Sequence, residues 1–101
     1  MQSDLSGQVS IVTGAAQGIG QAIAHRLARS GATVVYADIN FDRVEQSAAD
    51  APHGTRHMPL RLDVADTDEV NRAVQQVVEC YGRIDSLVNN AGVNTMDYRV
   101  A

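Results

Sequence analysis

Glycines at 14, 18 and 20, an aspartate at 38, an Asp-Val pair at 63–64 and an Asn-Asn-Ala-Gly run at 89–92 are the residues here whose types and spacing suit chemistry. Gly14, Gly18 and Gly20 let the backbone turn sharply and leave no Cβ between chain and ligand. They fall between an apolar run (Val9, Ile11, Val12) that reads as a buried strand and a segment of helical periodicity. A helix opening there aims its unpaired N–H groups and the positive end of its dipole into the gap, which suits a pyrophosphate. Asp38 stands 24 residues beyond Gly14, in the range for an acid that hydrogen-bonds the ribose hydroxyls of a dinucleotide. A carboxylate there repels a 2′-phosphate. Ile39 and Gln17, where a base could have stood, agree with that preference, which favours NAD over NADP. Arg43, inside a helix, is expected to meet solvent or a nearby acid.

These residues need elements to position them. Ile19, Ile23 and Leu27, at intervals of four, predict a helix over about 19–30 with Gly31 as its cap. Residues 33–38 are β-branched and aromatic and predict a second strand. Asn40 is placed to cap a helix over 41–50, with Val44 and Ala48 inward. A third strand over 56–62 contains Pro59, which keeps it at a sheet edge. Asp66 with Glu69 three residues on predicts a capping box and a helix over 67–81, ended by Gly82. Its inward face is expected to hold Val70, Val74, Val77, Val78 and Tyr81, and Cys80 is expected to be buried. Residues 84–88 predict a fourth strand, and 93–101 have no periodicity.

Alternation of strand and helix is the signature of a parallel α/β sheet. Right-handed crossovers carry strands 2 and 3 outward from strand 1, and strand 4 returns to its other side. The expected fold is therefore three layers with strand order 3-2-1-4, in one domain covering 1–101. The first two helices share one face and the third takes the other. Every chemistry-bearing cluster then falls at the C-terminal end of a strand, and the crevice between strands 1 and 4 is where a ligand belongs.

Composition bounds the rest. An apolar fraction of 45% and a charged fraction of 20% suit a soluble globular chain. A net charge of −4 argues against nucleic acid and anionic membrane as partners. A single cysteine rules out an internal disulfide and fits a reducing compartment. The first residues have neither the basic region nor the apolar core of a secretory signal. The cytoplasm is the expected location. His25 has no partner at metal-ligand spacing and is expected to be a packing or surface residue.

Thr13-Gly14-x-x-x-Gly18-Ile19-Gly20 departs from the spacing Gly-x-Gly-x-x-Gly and resembles the cofactor loop of short-chain dehydrogenases/reductases. Asp63-Val64 and Asn89-Asn90-Ala91-Gly92 match two further motifs of that family, and the resemblance covers about residues 7–93. It implies a Rossmann-type fold and an NAD(H)-dependent oxidoreductase that moves a hydride to or from an alcohol or carbonyl substrate. The residues it implies for cofactor binding are Gly14, Gln17, Gly18, Ile19, Gly20, Asp38, Ile39, Asp63, Val64, Asn90, Ala91 and Gly92. Of these, Asp63 and Val64 lie against the adenine, while the Asn-Asn-Ala-Gly residues line the adenosine ribose side and brace the sheet. The family's catalytic Asn, Ser and Tyr-x-x-x-Lys lie beyond the last motif. All eight basic residues here are arginine, so a Tyr-x-x-x-Lys pair cannot occur, and these residues are expected to be inactive alone. A complete enzyme, expected to be a homo-oligomer, would carry the rest. The alternatives are a stand-alone nucleotide-binding module and a non-functional truncated product. An open edge on strand 4 and a partly uncovered strand 1 are expected to leave the chain poorly stable or self-associating.

Overall fold

The computed structural model describes residues 4–90. Val9–Thr13 is buried at all five positions and forms β1, a central strand. It is followed by α1 (Gly18–Arg29), β2 (Thr33–Asp38), α2 (Phe41–Ala49), a single 3₁₀ turn (Gly54–Arg56), β3 (Met58–Arg61), α3 (Thr67–Tyr81) and β4 (Ser86–Asn89). The strands form one parallel sheet in the order β3-β2-β1-β4. Ile11 pairs with Val35 on one side and Leu87 on the other, so β1 is flanked by β2 and β4 and its end faces the crevice between them. Pro59 lies in β3, paired with Tyr36 at the sheet edge, where a missing N–H costs no ladder bond.

Alternate residues of the strands feed two cores, as the period of two requires. Val12, Val34 and Tyr36 pack with Ala24 and Ala28 of α1 and Val44 and Ala48 of α2. Ile11, Val35 and Ala37 pack with Ala73 and Val77 of α3 and with Leu62. The sheet thus carries α1 and α2 on one face and α3 on the other, as expected.

Several sequence expectations are corrected. The inward stripe of α1 is Gly20, Ala24 and Ala28. Ile23 and Leu27 flank it half-buried, and Ile19 is 72% exposed. Small residues win the inward face because they let the helix axis approach the sheet. In α3, Ala73 and Val77 are buried while Val78 is 43% exposed. One step of about 100° from Val77 turns Val78 off the contact face. Cys80 is likewise exposed, not buried. The third strand starts two residues later than predicted, because residues 54–56 take the 3₁₀ turn. Strand 4 runs from Ser86 to Asn89, not over 84–88. Asp85 precedes it and pairs with Val9 twice: its N–H donates to the Val9 carbonyl (2.7 Å) and its carboxylate accepts the Val9 N–H (2.8 Å). The hydrogen bonds from Arg83, then that from Val9, hold the Asp85 carboxyl below the usual carboxylate range. Strand 1 is not left uncovered, since all its residues are buried; it is β4 that stays half-exposed along its length.

Candidate functional site

The ends of β1, β2, β3 and β4 open on one cavity of about 520 Å³, lined by Gly14, Gln17, Gly18, Asp38, Ile39, Leu62, Asp63, Val64 and Asn90. Eight of these nine were singled out from the sequence. The addition is Leu62, whose N–H extends the β2–β3 ladder one residue by donating to the Asp38 carbonyl (3.0 Å). An apolar residue just past a strand carries no chemical signature, so only its place beside Asp63 could have flagged it. Ile19 and Gly20 do not line the cavity, while Ala91 and Gly92 lie outside the described residues.

Gly20 acts by close approach. A Cβ on it would lie 2.0 Å from the Gly14 carbonyl oxygen and 2.7 Å from Asn90 Nδ2, so any side chain would push apart the loop and the end of β4. Gly18 is required for its conformation: its φ of +63° is left-handed, and the space where its Cβ would stand is open. The loop between Gly14 and Gly18 is tied to β2. Ala15 N–H donates to the Ala37 carbonyl (3.1 Å), and Ala16 N–H donates to Asp38 Oδ2 (3.3 Å). Asp38 Oδ1 accepts the Asn40 N–H (2.9 Å), which fixes the carboxylate at the cavity wall. On the opposite side Thr13 Oγ1 bridges β1 to β4, donating to Asn89 Oδ1 and accepting the Asn90 N–H, each at 3.0 Å.

The helix starts differ in a way that bears on the site. Asn40 caps α2 by accepting the Arg43 N–H, with Asp42 in the first turn. Asp66 caps α3 by accepting the N–H groups of Asp68 and Glu69. Half of the expected capping box forms: the Glu69 carboxylate turns to the Asp63 N–H (3.1 Å) and to Arg61 (3.3 Å), which anchors Asp63 at the cavity. At α1 the N-cap is Gln17, which makes no side-chain cap bond, and the first turn holds no acid. The Gln17 side-chain oxygen is held instead by the Arg43 guanidinium, so Arg43 meets the loop and not an acid.

An uncapped helix start, positive by its dipole, thus faces the cavity from one side. A fixed carboxylate, Asp38, faces it from another, and Ile39 (57% exposed), Leu62 and Val64 supply apolar surface. Such a site can hold an anion at the loop and a hydroxyl-bearing group at Asp38, with a flat apolar group between Ile39 and Val64. Among the described residues the tyrosines are Tyr36 and Tyr81. Burial pushes the phenols of Tyr36 and Tyr81 above the usual tyrosine range, opposite to what a general base needs. Neither lines the cavity. Tyr36 is engaged by His25 Nδ1 (2.8 Å), which makes His25 a packing residue. Among the described residues no group of His, Cys, Asp and Glu could hold a metal ion, and no helix is long and apolar enough to cross a membrane.

The chain is 45% identical over 92 residues to 3-oxoacyl-acyl-carrier-protein reductase FabG of Thermotoga maritima, covering 88% of this chain and 37% of that protein. It is 44% identical over 87 residues to meso-2,3-butanediol dehydrogenase of Serratia marcescens, covering 86% and 34%. Among solved structures, hydroxysteroid dehydrogenase of Escherichia coli superposes with a TM-score of 0.80 at 34% identity, covering 88% of this chain and 38% of that one. The chain therefore spans little more than a third of the length of these relatives. The family model for short chain dehydrogenases matches residues 8–100, and the chain belongs to that family.

Proposed function

We propose that the chain is the dinucleotide-binding part of an oxidoreductase that moves a hydride between NAD(H) and an alcohol or carbonyl substrate. Members of the family bind nicotinamide dinucleotides, which supply or accept the hydride when bound. In this reading Gly14, Gln17, Gly18, Ile19 and Gly20 form the pyrophosphate loop, with the start of α1 as its anion site. Asp38 accepts hydrogen bonds from the adenosine ribose, and Ile39, Asp63 and Val64 flank the adenine. Asn90 lines the adenosine ribose side; Ala91 and Gly92, assigned with it from the sequence, lie outside the described residues. Catalysis falls to a tyrosine–lysine pair, which these residues do not contain.

The observation that carries the reading is the pairing of an uncapped α1 start with a fixed Asp38 carboxylate across one cavity. The same carboxylate favours NAD over NADP, since it accepts from ribose hydroxyls and repels a 2′-phosphate. Titration of the chain with NADH and NADPH tests both points. NADH is expected to bind more tightly, and Asp38→Ala should shrink the ratio about tenfold or more, as loss of a charged hydrogen-bond acceptor implies. An unchanged ratio refutes the role of Asp38.

A further inference from the structure

Ser47 lies on α2, outside the cavity and outside every motif of the sequence, yet its side chain reaches the glycine loop. It is 1% exposed, and its hydroxyl both accepts and donates. Gln21 Nε2 of α1 donates to Ser47 Oγ (2.8 Å), and Ser47 Oγ donates to the Ala16 carbonyl (3.2 Å). The Ala16 N–H is already held by Asp38 (3.3 Å). Ala16, in the middle of the loop between Gly14 and Gly18, is thus held at both its backbone groups, one by the end of β2 and the other by α2.

The Ala16 carbonyl belongs to the Ala16–Gln17 peptide unit. A trans peptide is planar, so fixing its C=O toward Ser47 fixes the Gln17 N–H in the opposite direction, away from α2. Gln17 is the N-cap of α1, and its residue lines the cavity. Replacing Ser47 by an apolar residue would strand a buried carbonyl and a glutamine amide together and leave that peptide free to rotate.

We propose that Ser47 is a positioning residue for the anion-binding loop: through the Ala16 carbonyl it sets the orientation of the Ala16–Gln17 peptide at the start of α1, and so the affinity for the pyrophosphate. This rests on the dinucleotide reading above and adds to it a residue that touches no ligand. The loop is affected and the adenosine wall (Ile39, Val64) is not, so the phosphate-bearing part of a ligand should lose binding selectively.

The test titrates the 101-residue chain and its Ser47→Ala variant with ADP, NADH and adenosine, the last having no phosphate. Ser47→Ala should weaken ADP and NADH about tenfold, the scale of one well-placed hydrogen bond to a charged group, and leave adenosine unchanged. The readout is the ratio of ADP to adenosine affinity, because a general loss of folding lowers both together. Wild-type affinity for ADP in the variant overturns the proposal, and so does an equal loss for all three ligands. A wild-type chain that takes up none of them overturns the dinucleotide reading itself. Should Ser47→Ala not fold, Ser47→Cys keeps the volume and a weak donor. Its ADP-to-adenosine ratio should fall below that of wild type, and an unchanged ratio overturns the proposal.

Discussion

The starts of α1 and α3 solve the same problem in opposite ways. Each helix begins with N–H groups that have no partner within the helix. At α3, Asp66 accepts two of them, and Asp68 and Glu69 add negative charge to the first turn. At α1, Gln17 accepts none, its side-chain oxygen is held by Arg43, and the first turn has no acid. The start of α3 is satisfied by its own side chains, whereas the start of α1 has no side-chain cap and no acid in its first turn. The difference shows where the fold gives up local stability, and that place is the cavity.

The harshest way to break the α1 start is to add a side chain at Gly20. Since even a Cβ would lie 2.0 Å from the Gly14 carbonyl, Gly20→Val should cost about 3 kcal/mol or more, as severe overpacking does. A thermal melt within a degree or two of wild type would show that the loop has slack.

Removing the α3 cap is milder. Asp66→Ala should destabilise by about 1 kcal/mol. Asn40→Ala should cost less, because Asn40 holds α2 through one N–H at 3.2 Å while Asp66 holds two N–H groups. Denaturant unfolding of the two variants ranks them, and the reverse ranking would contradict the comparison.

Giving α1 the kind of cap that α3 has sharpens the contrast. Gln17→Asp should stabilise the chain by about 0.5 kcal/mol, through the cap and the dipole. It should also weaken NADH binding at least tenfold, since it places a carboxylate where the pyrophosphate would lie. A variant that gains stability and keeps its affinity would separate the two halves of the reading.

The smallest effect is a pH dependence that leaves the helix starts alone. His57 Nδ1 accepts the Val34 N–H (3.0 Å), so its proton sits on Nε2 and donates to the Pro52 carbonyl (2.7 Å). Burial is the main cause that lowers its pKa, with Arg56, His53 and His25 adding to it against the Pro52 hydrogen bond. The folded state therefore resists a proton that the unfolded chain takes up. Stability should be full above the ordinary histidine value of about 6.5 and fall as pH drops from there toward the lower folded value. Melts across that range check the sign, and His57→Gln should flatten the slope.

Much of the cavity lining is legible in the sequence, because its signals are local. Glycine spacing, an aspartate ending a strand and Asn40 three residues before Arg43 each depend on chemistry within a few residues. The helix faces were read less well. In α1 a pattern of large apolar residues pointed to Ile19, yet the sheet takes Gly20, Ala24 and Ala28. Hydrophobicity identifies a stripe, but the depth at which a helix packs selects which side of the stripe goes inward. Cys80 and Val78 were misplaced for the same reason, each lying about one helical step from a buried position.

By itself the sequence determined the alternation of strands and helices, the parallel order 3-2-1-4 and the gathering of the glycine loop, Asp38, Asp63 and Asn90 at one sheet edge. Periodicity, turn chemistry and the handedness of crossovers act along the chain and can be read from it. Only the tertiary structure decided that Leu62 lines the cavity, that Gly20 spaces the loop from Asn90, and that Ser47 and Arg43 reach the loop from α2. Those contacts join residues 26 to 70 positions apart. Their partners are chosen by how closely three layers pack, a property of the assembled sheet and helices together.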